Sequence, residues 1–327
     1  MRILVCGGAG YIGSNMTAML ATQGHEPFVY DNLTKGHRSA VTQAEFVQGD
    51  LADYELLVKT LKKYNIDAVM HFAAFIEVAE SLQSPLKYYQ NNVSNTRTLL
   101  AAMQDTHVRK FVFSSTAAVY GLPSKVPVTE DLPKKPINPY GETKWAAERM
   151  CHFQSRTGKL HYAALRYFNA AGAGHNATLG EDHRPESHLI PSIIRAALGK
   201  CPEVKIYGTD YPTPDGTCIR DYIHIEDLCT AHLLALNKLE KHTELVYNLG
   251  NGKGYSVKEV AETVKMVSGK DFKVVSADRR PGDAPILTSD AAKARKELGW
   301  KTRFGDLTKI VETAWQWHSE HPNGYAD

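Results

Sequence analysis

The sequence predicts an α/β protein, a doubly wound parallel sheet carrying a smaller mixed α/β cap. Three observations carry that prediction. Short apolar runs alternate with longer amphipathic ones through the first half of the chain, the rhythm of parallel strands joined by crossover helices. Several of those runs are apolar on both faces, as expected when helices cover both sides of a sheet. The first run, Ile3-Leu4-Val5-Cys6, leads straight into Gly7-Gly8-Ala9-Gly10-Tyr11-Ile12-Gly13, a strand–loop–helix junction.

Taken in order, strands are expected at Arg2–Cys6, Phe28–Tyr30, Glu45–Gln48, Ala68–Phe72, Lys110–Ser114 and Tyr162–Arg166. Helices are expected between them at Ile12–Thr22, Tyr54–Tyr64, Leu86–Gln104 and Tyr140–Arg156. After about Tyr167 the rhythm breaks, and Ala170–Asp221 is rich in Gly, Pro, His and Asp, with one helical patch at Ile190–Leu198. Helix and strand signals return at Ile225–Leu239 and Leu245–Leu249. Ser256 and Glu259 have capping-box spacing, the hydroxyl and the carboxylate each covering a free N–H. Helical runs at Ala291–Leu298 and Asp306–His318 finish the chain. The expected division is a first domain over 1–168, rejoined at about 221–250, and a cap over 169–327.

Composition removes several function classes. The chain has 327 residues, 43% hydrophobic and 23% charged, which excludes wholesale disorder. Its 38 Lys+Arg against 36 Asp+Glu leave a net charge of +2, too balanced for binding nucleic acid by phosphate neutralisation. No apolar run approaches the ~20 residues that span a bilayer, and Ile3–Cys6 is too short for a signal-peptide core. The five cysteines are scattered without a C-x-x-C pair, and the 14 histidines contain no H-E-x-x-H. The expectation is therefore a cytoplasmic protein with no disulfides, no metal and no membrane or nucleic-acid partner.

The glycine loop is the first chemical signal. Glycines permit the tight turn and let backbone N–H groups approach a pyrophosphate at a helix N-terminus. Asp31 ends the second strand 18 residues after Gly13, where an acid should hold ribose hydroxyls. Loop and acid together predict a Rossmann-type site, and the carboxylate favours NAD over NADP because it would repel a 2′-phosphate. Lys35 and Arg38 read as ordinary loop charges, and Asp50-Leu51 stand where they could reach the adenine.

Tyr140-Gly141-Glu142-Thr143-Lys144 is the second signal. On a helix, residues four apart share a face, so phenol and ammonium can enter one cleft. A phenol is a poor base at neutral pH, and nearby positive charge is what would favour phenolate. The fifth strand ends in Ser114-Ser115-Thr116, hydroxyls at the carboxyl edge where doubly wound sheets bind ligands. Ser114 is read as strand-end capping, His71 as a satisfied sheet histidine, and Trp315 and Trp317 as packing.

With these segments, His71-Phe72-Ala73-Ala74, Asn91-Asn92-Val93, Arg166-Tyr167-Phe168-Asn169, Arg220-Asp221-Tyr222 and Arg279-Arg280-x-Gly282-Asp283, the chain closely resembles the extended short-chain dehydrogenase/reductase superfamily. Within it, the resemblance is to the family of UDP-glucose 4-epimerases, and it runs from Met1 almost to Tyr325. It implies Tyr140 as catalytic base, Lys144 as its electrostatic partner and Thr116 as a bridging hydroxyl. It implies NAD contacts from Gly7, Gly10, Tyr11, Ile12, Gly13, Asp31, Asn32, Asp50, Leu51, Phe72, Ala73, Ala74, Asn91, Tyr140, Lys144 and Phe168, with Lys144 on the nicotinamide ribose. A UDP-sugar would be held by Thr116, Asn169, His188, Leu189, Arg220, Arg280 and Asp283. Thr116 stands where many members have Ser, His188 where some have Asn, and Ile76 where some have Lys.

The resemblance also implies a homodimer joined through Leu86–Gln104 and Tyr140–Arg156. It places Leu287, smaller than the Tyr of some members, beside the sugar's 2-substituent, so N-acetylated UDP-sugars are expected as additional substrates. The rival activity on this fold is a 4,6-dehydratase, which needs an acid pair beside the catalytic hydroxyl. Ala117 and Ala118 occupy those positions and cannot move protons. A non-catalytic NAD-binding protein would be expected to lose the Tyr–Lys pair, which this chain keeps.

Overall fold

The apolar runs of the first half pair in parallel because each is followed by an amphipathic segment long enough to cross back over the sheet. The computed structural model describes residues 1–280 and 282–327. Its early strands are β1 (Arg2–Cys6), β2 (Glu26–Asp31), β3 (Glu45–Gln48), β4 (Ala68–His71), β5 (Lys110–Thr116) and β6 (His161–Tyr167). The later ones are β7 (Asn169–Ala171), β8 (Val204–Tyr207), β9 (Ile219–His224), β10 (Glu244–Leu249), β11 (Gly254–Ser256), β12 (Val274–Ala277) and β13 (Ile286–Leu287). Seven of them form one parallel sheet in the order β10-β6-β5-β4-β1-β2-β3. Strand order reverses between β1 and β4, and crossovers on opposite faces leave a crevice at the carboxyl edge there.

The helices are α1 (Tyr11–Thr22), α2 (Tyr54–Lys63), α3 (Val78–Gln83), α4 (Pro85–Tyr88), α5 (Asn95–Asp105) and α6 (Pro139–Arg156). They continue as α7 (Leu189–Ala197), α8 (Ile225–Lys238), α9 (Val257–Ser268), α10 (Ala292–Leu298) and α11 (Leu307–Glu320). Strand periodicity divides the core. Ile3 and Val5 face one side with Met16, Leu20, Leu228 and Leu236, whereas Leu4 and Cys6 face the other with Leu57, Leu61, Leu99 and Met103. Successive side chains of a strand point to opposite faces, so one run seeds both cores. Trp317 is buried among Ala173, Ala177 and Tyr325, and Trp315 packs beside α7 and α9.

The expected helix over Leu86–Gln104 is not regular. Between α4 and α5, residues Tyr89–Ser94 form a π-helical turn, a feature often found at functional sites. It turns Asn92 inward, where its side chain accepts from Phe75 N at 2.9 Å and donates to Phe75 O at 3.0 Å. That clamp fixes the loop leaving β4, which carries Phe72, Ala73 and Ala74.

A smaller sheet was not legible in the Gly/Pro/His/Asp-rich region. Strand β9 is its centre, pairing parallel with β7 and β13 and antiparallel with β11. β7, β11 and β13 are only two or three residues long, too short to show alternation. Buried Asp221 ties this sheet together, accepting from Asn251 N at 2.8 Å and from Gly252 N and Ser289 N at 3.0 Å each. The capping box forms as its spacing predicts, with Glu259 N to Ser256 Oγ 3.0 Å and Ser256 N to Glu259 Oε2 2.6 Å. Among the described residues no helix is long and apolar enough to cross a membrane.

Candidate active site

The crevice at the carboxyl edge opens into a cavity. Its wall includes Gly7, Gly10, Tyr11, Ile12, Gly13, Asp31, Asn32, Asp50, Leu51, Phe72, Ala73, Ala74, Asn91, Thr116, Tyr140, Phe168, Asn169, His188, Arg220 and Leu287. Lys144, Leu189, Arg280 and Asp283 are not on that wall, for separate reasons given below.

The glycine loop is shaped by contact as much as by conformation. Gly7 has φ +78°, and a Cβ there would stand 2.5 Å from Ala73 N. A Cβ on Gly13 would stand 2.1 Å from Gly7 O, so only glycine lets α1 start this close to the turn. Gly10 is different: its nearest neighbour would be Gly7 O at 3.4 Å, and the remaining space is the cavity's. The residues present thus leave a bare backbone cradle at the N-terminus of α1, the surface a pyrophosphate needs. Asp31, buried at the end of β2, accepts from Ala9 N at 3.0 Å and Leu33 N at 2.8 Å. Burial pushes its carboxyl up and those two N–H bonds oppose the rise. Asn32 Nδ2 donates to Asp50 Oδ2 at 2.7 Å, linking the ends of β2 and β3. Lys35 is exposed, as a solvated loop charge should be, and also borders the cavity. Arg38 is structural, donating to Val41 O at 3.0 Å with its guanidinium 4.6 Å above the Phe46 ring.

Tyr140 and Lys144 sit in the first turns of α6, which Asn138 caps by accepting from Gly141 N at 2.9 Å. Pro139 supplies the fixed φ of the first helical position. Burial pushes the Tyr140 phenol up, opposed by its interaction with the Thr116 hydroxyl. Thr116 ends β5 and accepts from Ala118 N at 3.1 Å. Lys144 lies beneath the wall, 3% exposed, its ammonium 4.6 Å above the Phe113 ring. Burial pulls its pKa down to about 7, with the Glu148 carboxylate pulling it back up. Neighbouring His71 is pushed down to about 3 by burial and by Lys144, so the imidazole is neutral. Its Nε2 contacts Thr96 Oγ1 at 3.0 Å while Nδ1 has no hydrogen bond.

Glu148, one turn beyond Lys144, was not singled out from the sequence. It forms a buried ion pair with Arg166, with Nη2 to Oε2 2.5 Å and both side chains 3% exposed, and it accepts from Ser115. Arg166 also donates to the Tyr120 hydroxyl at 2.8 Å, and Tyr120 donates to Asn248 Oδ1 at 2.7 Å. This network fastens α6 to β5, β6 and β10. Ser114 is not a strand-end cap: it pairs with the Tyr167 hydroxyl at 2.5 Å.

The residues expected to meet a nucleotide diphosphate lie on the cap. Arg220, on β9, donates to Ala284 O at 2.7 Å and stands 3.5 Å from Asp283. Arg280 is largely exposed and bonds Asp283 Oδ2 at 3.0 Å, which holds both away from the wall. Leu189 opens α7 and packs into the cap core. Asn169 Nδ2 donates to Asp221 O at 2.8 Å. Leu287 packs with Val119, Tyr120, Val128 and Phe168 while reaching the cavity. His188 is not free: its Nδ1 is 2.6 Å from Glu181 Oε1. The segment Glu181–His188 forms a far wall that sequence reading did not recognise as a unit.

Fold and site together define a dinucleotide-binding α/β enzyme with a tyrosine–lysine–hydroxyl centre. The chain belongs to the NAD dependent epimerase/dehydratase family, whose profile matches residues 3–250. It is 50% identical over 327 residues, 100% of this chain and 98% of the relative, to the UDP-glucose 4-epimerase of Halalkalibacterium halodurans. The crystal structure of UDP-glucose 4-epimerase from Brucella ovis in complex with NAD is 48% identical, with TM-score 0.94 over 96% of this chain and 97% of that one. The UDP-Glc/GlcNAc 4-epimerase of Campylobacter jejuni is 44% identical, with TM-score 0.86 over 98% and 99% of the two chains.

Proposed function

We propose that this chain is an NAD-dependent isomerase interconverting UDP-glucose and UDP-galactose. The observation that carries this reading is Tyr140 and Thr116 on the wall of a cavity that also contains the glycine cradle, with Lys144 directly beneath. Ala117 and Ala118 follow Thr116 and offer no acid–base pair for the elimination that a dehydratase must perform.

The cradle of Gly7, Gly10 and Gly13 with Asp31 would hold NAD, whose nicotinamide would supply a reversible hydride acceptor for the sugar's C4–H. Tyr140, with Thr116 relaying, removes the 4-hydroxyl proton and gives it back on reversal. Lys144 stabilises the phenolate, which burial alone disfavours. Asp31 orients the adenosine ribose. Asn169, His188, Leu189, Arg220, Arg280 and Asp283 hold the UDP portion, and the two arginines exchange Asp283 for diphosphate oxygens, to which their planar donors are suited. A 4-keto sugar free to turn within the cavity could present either face of C4 to the nicotinamide. Incubating the purified protein with UDP-galactose, without added NAD, should yield UDP-glucose. Absence of any product would leave a binding protein as the better reading.

The remaining expectations stand as part of this proposal. Residues 1–168, rejoined at about 221–250, form the NAD-binding unit and 169–327 the cap. The protein is a cytoplasmic homodimer joined through Leu86–Gln104 and Tyr140–Arg156. Supporting this, Leu82, Leu86 and Phe153 are 61%, 80% and 59% exposed on neighbouring helices, apolar surface that a partner copy would cover. Sedimentation as a monomer at micromolar concentration would refute it.

A further inference from the structure

The far wall of the cavity is built from Glu181-Asp182-His183-Arg184-Pro185-Glu186-Ser187-His188, between β7 and the start of α7 and without helix or strand of its own. Its residues divide by direction. Asp182 and Arg184 turn outward: Asp182 Oδ2 accepts from Tyr325 N at 3.0 Å, and Arg184 donates to Tyr325 O at 2.9 Å. Glu181, His183, Glu186 and His188 turn inward, and one donor atom from each lies within 4.8 Å of all the others.

Their distances are ordinary for ion pairs, but their directions are not. His188 Nδ1 stands 2.6 Å and His183 Nδ1 3.1 Å from Glu181 Oε1, yet neither nitrogen makes a hydrogen bond and both atoms are sealed from solvent. At such distances a hydrogen bond fails only through direction, so these nitrogens are aimed away from Glu181 Oε1. The Glu186 oxygens lie 3.6 Å from His188 Nδ1 and 4.0 Å from His183 Nδ1. Tetrahedral zinc with bonds of about 2.0–2.1 Å places its donors roughly 3.3 Å apart, in the middle of this range. Two carboxylates with two neutral imidazoles balance a divalent charge, and this mixed nitrogen–oxygen set suits zinc.

We propose that Glu181, His183, Glu186 and His188 bind one zinc ion, a structural site that fastens residues 181–188 as the far wall of the substrate cavity. Four protein donors leave no open position, the form of a structural rather than a catalytic centre. The ion takes no part in the hydride or proton steps. It fixes the loop that delivers His188 and Leu189 to the cleft, doing for an irregular segment what a strand pairing does elsewhere. The sequence reading expected no metal because it sought C-x-x-C and H-E-x-x-H. The pattern here is Glu-x-His-x-x-Glu-x-His, whose donors meet only when the chain folds back at Arg184-Pro185.

The test uses tag-free, full-length protein stripped with EDTA and desalted, and Co²⁺ alone as the probe. Wild-type protein should take up one equivalent per chain with the intense visible bands of tetrahedral cobalt, which added Zn²⁺ should erase. Zinc should raise the melting temperature of stripped wild type and leave that of His183→Gln or Glu186→Gln unmoved, with cobalt affinity in each variant lowered at least about tenfold. The two variants are read separately in case one does not fold, and the wild-type titration needs neither. Stripped, folded wild-type protein that shows no tetrahedral bands and no zinc-dependent melting shift would overturn the proposal. Because no readout is turnover, failure here would leave the proposed isomerase activity standing.

Discussion

Alanine at Gly10 and alanine at Gly13 should have opposite signatures, although the residues are three apart in one loop. At Gly13 the new Cβ would stand 2.1 Å from Gly7 O and 2.7 Å from Gly8 Cα, both backbone, so the loop must open by roughly 1 Å to restore ordinary contact. Overpacking of that kind costs ~1–3 kcal/mol of stability. At Gly10 the backbone has φ −83° and ψ 175°, which any residue adopts, and the nearest atom to a Cβ would be 3.4 Å away. Alanine there should leave the cofactor-free protein unchanged or stabilise it by about 0.4–1 kcal/mol through the unfolded chain. Its methyl instead enters the space a pyrophosphate needs, and the same ~1–3 kcal/mol now appears as about 5- to 150-fold weaker NAD binding. The assay pairs urea unfolding of NAD-stripped protein with NAD titration followed by tryptophan fluorescence. Native NAD affinity in Gly10→Ala, or equal destabilisation of both variants, would refute the assignment of the loop.

Four further outcomes are expected. Tyr140→Phe should keep fold and NAD while losing about 10²–10⁴-fold in turnover; near-native rates would remove Tyr140 as base. Burial pushes the Tyr140 phenol up, opposed by the Thr116 hydroxyl; Lys144→Met removes the positive charge proposed to stabilise the phenolate, so the acidic limb of the pH–rate profile should move to higher pH. An unmoved limb would show that Lys144 does not tune Tyr140. Glu148→Gln leaves buried Arg166 without its counter-charge and should cost about 3–5 kcal/mol in urea unfolding. It should also lower the Lys144 pKa further below about 7, since Glu148 is what raises it. Leu287 reaches the cavity, and Leu287→Tyr should abolish conversion of UDP-N-acetylglucosamine while sparing UDP-glucose; a wild type inactive on the N-acetyl sugar would sink that assignment.

What could be read from the chain alone was whatever is written within one turn or one strand of sequence. The Gly7–Gly13 loop, Asp31 at the end of β2, the Tyr140–Lys144 spacing and the Ser256–Glu259 capping box each encode their geometry locally. The unbroken apolar run Ile3–Cys6 is enough to predict a strand covered on both faces. Tertiary structure decided the rest, because it depends on which side chains meet across long separations and how far water is excluded there. Glu148 meets Arg166 only when α6 packs on β6, and their burial, not their spacing, gives the pair its weight. Arg280 reaches Asp283 locally, three residues on, but Arg220 meets it because β9 and β13 are neighbours, a pairing that strands of six and two residues cannot announce. Lys144 and Tyr140 look like a simple ion pair in the sequence, yet desolvation moves both away from their charged forms, and bound ligand must reverse that. Glu181, His183, Glu186 and His188 are four side chains scattered along a polar loop until the chain folds back and seals two imidazole nitrogens beside two carboxylates.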